Sequence, residues 1–167
     1  SFHGALIGII LGTYIFSNLN KIKAFFFLDV IACVAPIGLF FGRIANFINA
    51  ELYGKETSVF WSVIFPNVDN TPRHPSQLYE AALEGIVLFS ILIYLSIFIK
   101  NIKIGIISSL FLIFYGIFRI FAEQFREPDI QIGYILNKFS LGSGLSAIMV
   151  LIGTYIFFKI YKNEEYK

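Results

Sequence analysis

Residues 25–48 read FFFLDVIACVAPIGLFFGRIANFI, an apolar run carrying only two charged side chains, Asp29 and Arg43. About 20 predominantly apolar residues, rising ~1.5 Å each, cross the hydrocarbon core of a bilayer. The run therefore reads as a membrane-spanning helix, with a kink expected at Pro36, whose ring removes a backbone donor. Working outward, four further apolar segments follow the same logic: about Gly4–Phe16 (short), Ser76–Ile99, Ile104–Phe125 and Leu141–Phe158. The expected fold is all-α, a polytopic transmembrane helix bundle of about five spans forming a single membrane domain over residues 1–167.

Composition points the same way. Hydrophobic residues make up 57% of the chain and charged residues 14%, against roughly 25% charge in a soluble domain. The mean hydropathy is +0.75. A net charge of +2 with scattered basic residues provides no phosphate-tracking stripe, so no nucleic-acid partner is expected. The single cysteine, Cys33, excludes a disulfide or a cysteine-based metal site within one chain, and it reads as a small core residue. Ser1-Phe2-His3-Gly4 has no initiator Met, basic region or cleavage site and opens directly into an apolar run, so it is not a signal peptide. The expectation is that sequence lies upstream and that the chain is the C-terminal portion of a longer protein.

With five alternating spans, Lys21 and Lys23, Lys100 and Lys103, and Lys159, Lys162 and Lys167 all fall on one side. The excess of lysine places that side, with the tail 159–167, in the cytoplasm. The longer connections, about 50–75 and 126–139, then face outward. Phe60, Trp61 and Phe65 in the first of them suit a segment lying at the membrane interface.

Charges inside spans cost ~2.5–3.5 kcal/mol or more to insert and are functional candidates by default. Arg43 and Asn46 share one helix face; Tyr115, Arg119 and Glu123 recur at helical spacing, with Arg126 continuing; Gln77, Glu80 and Glu84 line a third face. All but Glu84 lie towards the outward ends of their spans, where they would converge in a pocket. Each has a plainer reading. The arginines can snorkel to headgroups, Glu80 and Glu84 can simply pair with arginines and hold helices together, and Asp29 can be a helix-start or interfacial charge. His74 suits a surface or structural role. His3, at the outward edge of a span, is balanced between a polar cap and a catalytic base.

Four blocks together resemble the prolipoprotein diacylglyceryl transferase family: Ser1-Phe2-His3-Gly4-Ala5-Leu6-Ile7-Gly8, the run Gly42 to Gly54 (GRIANFINAELYG), Arg73 to Glu80 (RHPSQLYE) and Tyr115 to Arg126 (YGIFRIFAEQFR). They occur in the family's order across nearly the whole chain. Departures are Ala5 where the family usually has a second glycine, Ser143 where it usually has glutamine, and the absence of the family's upstream spans and their tyrosine-bearing region. The resemblance implies a bacterial inner-membrane enzyme with its site towards the outer side. It would move the diacylglyceryl group of phosphatidylglycerol to the lipobox cysteine of a prolipoprotein, forming a thioether and releasing glycerol phosphate.

That chemistry needs a lateral opening for lipid, cations for a phosphate whose charge grows as the C–O bond breaks, and help in forming a thiolate. Arg43 and Arg119 suit the phosphate, which planar guanidiniums bind bidentately. Asn46 can donate to a phosphate or glycerol oxygen, Glu123 can hold Arg119, Glu51 can hold another arginine, and Gly54 permits a tight turn beside the site. His3 is the preferred base, with Tyr115 its rival or a lipid contact. No nucleotide loop or metal cluster appears, so no cofactor is implied. The alternatives are an anion or lipid transporter, which would be expected to show repeats or broken helices in matching halves, and a structural membrane subunit, which would not need Arg, Glu, His and Tyr on converging faces.

Overall fold

The computed structural model describes residues 2–127, 134–135 and 139–162, with side chains described for all of these except 2–7, 10, 134–135 and 139–141. Helix α1 covers Phe2–Asn20 and α2 Ala24–Ile48. The next span is compound: α3 (Ser76–Glu80), a π-helical stretch (Ala81–Val87) and α4 (Leu88–Phe98) run on without a break. Helices α5 (Ile106–Glu123) and α6 (Leu141–Lys162) complete the set. Two-residue strand pairs, β1–β2 (Val63–Ile64 with Pro72–Arg73) and β3–β4 (Tyr134–Ile135 with Phe139–Ser140), ornament the connections. Among the described residues, four helical segments are long and apolar enough to cross a membrane: Ala24–Ile48, Ser76–Phe98, Ile106–Glu123 and Gly142–Lys162.

The helix bounds follow the apolar runs closely. Helix α1 outlasts the expected Gly4–Phe16 because its polar end satisfies its own backbone. Asn20 Nδ2 donates to the Phe16 carbonyl at 2.8 Å and Ser17 Oγ to that of Ile22 at 2.7 Å. Lys21 then turns left-handed, with φ 54°, to stop the helix. Helix α2 continues through Pro36, which is fully buried.

The lysine-rich end of the bundle is fastened by helix termini. Asp29, expected as a helix-start or interfacial charge, instead reaches across to α5. Its two carboxylate oxygens accept the backbone amides of Gly105 (2.6 Å) and Ser108 (2.8 Å), capping the otherwise unsatisfied first turn of that helix. Gly105 supports this with a φ of 95°, open only to a residue without a Cβ. Lys103 Nζ donates to the Tyr161 carbonyl at 2.8 Å, a cation at the negative end of α6. Above these contacts Ala32, Leu88, Leu92 and Ile107 form the apolar core, with Cys33 packed against it. Helices α5 and α6 meet through small residues, Gly116 backing onto Ser146 and Val150, as lipid-embedded helices must when packing rather than water drives association.

At the opposite end the long connection folds back over the bundle. Phe60 is 93% exposed and Trp61 half exposed, in keeping with an interfacial tip, but Phe65 is buried. It packs edge-on against Phe47 and beside Tyr53, so it anchors the loop to the end of α2 instead of meeting the membrane surface.

Candidate active site

The charges that the spans carry come together. Arg43 on α2 places Nε 3.0 Å from Glu80 Oε2 and Nη2 3.0 Å from Glu84 Oε2. Arg119 on α5 donates from Nη1 to Glu80 Oε1, sits 3.6 Å from Glu84 Oε1, and meets Glu123 Oε2 with Nη2 at 2.7 Å. Arg126 Nη1 stands 3.7 Å from Glu80 Oε1. Glu80 and Glu84 are wholly buried, while the side chain of Arg43 keeps 15% of its surface exposed. Three helical segments thus meet through one interlocked cluster, with Arg43, Glu80 and Arg119 roughly 6–8 Å inside their helix ends and Glu84 about 12 Å inside, at ~1.5 Å per residue. Isolated, any of these charges would be prohibitively costly at such depth; paired, each satisfies the others.

The pairing leaves specific edges over. Among the described residues nothing hydrogen-bonds or ion-pairs with Nη1 of Arg43. Among the described residues, buried Gln77 Oε1 accepts no hydrogen bond, and Glu84 Oε1, likewise without one, lies 3.6 Å from Arg119 Nη1. Asn46, half-buried one turn beyond Arg43, has no described partner for its side-chain amide. Tyr115 stacks on Phe111 with ring centroids 5.7 Å apart, and its phenol lies within electrostatic range of Glu84, Arg119 and Arg43. His3 falls in the first turn of α1; its side chain lies outside the described part.

The chain after α2 is held over the cluster by backbone contacts. Ala50 and Leu52 both take left-handed φ, 55° and 52°, a costly state for Leu. Buried Ser76 and Gln77 hold this turn in place: Ser76 Oγ donates to the Leu52 carbonyl (3.1 Å) and Gln77 Nε2 to that of Glu51 (2.6 Å). Glu51 therefore joins the site through its backbone. Its side chain is exposed and pairs with no arginine among the described residues, unlike the arginine-holding role expected of it. Gly54 also differs from expectation, because its need is close approach and not a turn. It bridges to Arg126, and a Cβ there would strike the His74 carbonyl and lie 2.8 Å from the Phe125 carbonyl.

Arg73, part of a sequence block but given no role of its own, is the hub of this loop. It binds Asp69 at 2.6 Å, Glu56 and Glu127 at 3.5 Å each, and the Gly54 carbonyl at 3.2 Å, and it lies over the Tyr53 ring. These hydrogen bonds hold the Asp69 carboxyl well below the usual carboxylate range and raise the arginine above its own. His74 is structural: its Nδ1 lies 3.1 Å from the Tyr79 hydroxyl, which also accepts from Trp61 Nε1 at 2.6 Å. No cluster of three or more His, Cys, Asp or Glu side chains among the described residues is placed to hold a metal ion.

Comparison with known proteins shows the family of the chain. A family model described as prolipoprotein diacylglyceryl transferase matches residues 1–159. The chain belongs to this family. It is 55% identical over 158 residues to the phosphatidylglycerol-prolipoprotein diacylglyceryl transferase of Rickettsia typhi, covering 93% of this chain and 61% of that protein. It is similarly related to the proteins of the same name from Rickettsia felis (55% over 157 residues) and Rickettsia bellii (53% over 161 residues). The chain spans about 61% of the length of these curated relatives. The Arg–Glu cluster is therefore part of a diacylglyceryl transferase fold, and the motif residues Arg43, Arg119, Glu80 and Glu123, distant in sequence, are neighbours within it.

Proposed function

We propose that the protein of which this chain is a part transfers the diacylglyceryl group of phosphatidylglycerol to the lipobox cysteine of a prolipoprotein, at the outward side of a bacterial inner membrane. The observation that carries this reading is a guanidinium, Arg43, half-buried near the end of an apolar helix and paired with Glu80 and Glu84 through Nε and Nη2, with no partner for Nη1 among the described residues. The names of the relatives supply the substrates.

The cysteine thiolate attacks the glyceryl carbon that bears the phosphate. The new C–S bond forms as the C–O bond breaks, and the electron pair leaves on the phosphate oxygen of glycerol phosphate. The thiol proton passes to a base. The phosphate gains a negative charge in this step, so a guanidinium fixed beside it is worth more in the transition state than in the ground state. In this reading Arg43 offers Nη1, which no described residue engages, to the phosphate, and Asn46 donates to a phosphate or glycerol oxygen. Arg119, engaged by Glu80 and Glu123, supplies positive potential and rigidity, and Tyr115 closes the site below. His3 takes the thiol proton. Glu51 and Gly54 act through the backbone that roofs the site.

The orientation rests on the lysines, which gather at the end opposite the cluster. A cysteine probe at Asn67 should be labelled from outside and one at Asn163 spared; the reverse would put the site on the wrong face for secreted substrates. The activity is tested by incubating membranes holding the full-length protein with phosphatidylglycerol and a lipobox peptide. Addition of the diacylglyceryl mass to the peptide is expected, and its absence would remove the enzymatic reading.

A further inference from the structure

Just below the charge cluster, on the bilayer side, lies an apolar groove of about 180 Å³ lined by Pro36, Ile37 and Phe40 of α2 and by Gly85, Ile86 and Phe89 of the compound span. Its position is fixed by its neighbours. Phe40 precedes Arg43 by three residues and Gly85 directly follows Glu84, the two members of an ion pair. The two helical segments run in opposite directions, so the groove starts where that pair ends, about one helical turn (~5 Å) deeper. The walls converge at Gly85, where an added Cβ would lie 2.7 Å from Phe40 Cβ. Any larger residue there would press α2 and the π-helical stretch apart. Ile37 is 44% and Ile86 55% exposed, so the groove opens sideways, towards lipid.

We infer that this groove seats an acyl chain of the anionic phospholipid whose phosphate meets Arg43. The inference rests on the phosphate reading of Arg43 given above. A phospholipid places its acyl chains directly below its phosphate. A headgroup held at the free edge of Arg43 therefore delivers a chain to the groove mouth, and charge at the top with an apolar slot beneath matches that molecule end to end. The two ends cooperate: the guanidinium selects the headgroup and the slot fixes the glyceryl carbon beside the site. The π-helical stretch contributes by carrying Glu84 and Gly85, one facing the charge cluster and the next forming the groove floor.

The test uses membranes containing the full-length protein and a phosphatidylglycerol with a photoactivatable diazirine midway along one acyl chain. Crosslinks should map to residues 36–40 and 85–89, about tenfold above those from phosphatidylcholine with the same chain, and Arg43→Gln should erase that preference. Ile86→Trp, which fills the slot without touching a charge, should lower the labelling of residues 36–40 several-fold. Equal labelling by both lipids would make the groove an ordinary lipid contact, and labelling elsewhere, or unaffected by Ile86→Trp, would equally overturn the assignment. Transfer to a lipobox peptide is measured on the same membranes. A protein that labels as expected but transfers nothing loses the enzymatic reading and keeps the groove; an active protein without groove labelling does the reverse.

Discussion

Glu80 receives Arg43 on one carboxylate oxygen and Arg119 on the other, so a single wholly buried side chain sets the separation of two guanidiniums carried by different helices. Without it, only Glu84 would stand between these like charges, in a medium that screens them poorly. Glu80→Gln keeps the shape and removes the charge. We expect a loss of about 3–5 kcal/mol, the usual result of stripping one partner from a buried ion pair, measured as a lower unfolding midpoint of the detergent-extracted full-length protein. An unchanged midpoint would mean that the arginines are held by Glu84 and Glu123 alone.

The guanidiniums themselves are tested by charge-conserving change. Arg43→Lys and Arg119→Lys retain a cation but lose the planar fork that lets one side chain hold two carboxylates and still present an edge. Transfer from phosphatidylglycerol should fall about 100-fold in each, a change of ~2.7 kcal/mol at the transition state. Full activity in both variants would reduce these residues to anchors.

Much of this arrangement is legible in the sequence, for identifiable reasons. Apolar length locates the spans because the bilayer fixes it, and intramembrane charges mark the site because nothing else justifies their cost. Helical spacing puts Arg119 and Glu123 together, as observed at 2.7 Å. What stays hidden is which charges pair between helices. The plain reading of Glu80 and Glu84 as partners of arginines matches the geometry, yet no spacing reveals that Glu80 lies among Arg43, Arg119 and Arg126. The π-helical stretch has no periodicity signal of its own over seven residues. Phe65, Arg73 and Gly54 owe their roles to a loop folding back on itself, and a linear pattern carries no trace of that closure.

Gly54 makes the loop's dependence on close approach measurable. Gly54→Ala adds one methyl group, and both neighbours it would strike include backbone, so neither can rotate away. A destabilisation of about 1–3 kcal/mol is expected from overpacking, appearing as faster proteolysis of the 54–73 connection. Wild-type proteolysis in the variant would show that the strands can part at little cost.

The Asp69–Arg73 pair gives the same loop a pH dependence whose sign follows from the depressed Asp69 pKa. A carboxyl whose folded pKa lies below its unfolded value of about 3.9 stabilises the folded loop above that value and loses its contribution as pH falls through the folded pKa. Trp61, the only tryptophan of the chain and hydrogen-bonded to Tyr79, reports the loop directly. Its emission should stay constant from neutrality to about pH 4 and shift to the red only below. Asp69→Asn should show the shifted emission already at neutral pH. A wild-type transition well above about pH 4 would show that the Asp69–Arg73 pair does not set it.

His3 lies in the first turn of α1. If its imidazole removes the lipobox thiol proton, His3→Gln should lower turnover at neutral pH by about 10²–10⁴-fold, the usual worth of a positioned base. Binding of phosphatidylglycerol should change little, because the phosphate contacts proposed above are those of Arg43 and Asn46. Raising the pH towards the thiol's own pKa of about 8.5 supplies thiolate without a base, so the variant should regain part of its rate there. The variant must extract and melt like the parent protein for this rescue to report proton removal. Tyr115→Phe provides the contrast: it removes a hydroxyl within electrostatic range of Glu84 and Arg119 and should impair lipid positioning at every pH, without alkaline recovery. Normal turnover in His3→Gln, or recovery seen only in Tyr115→Phe, would move the role of base away from His3.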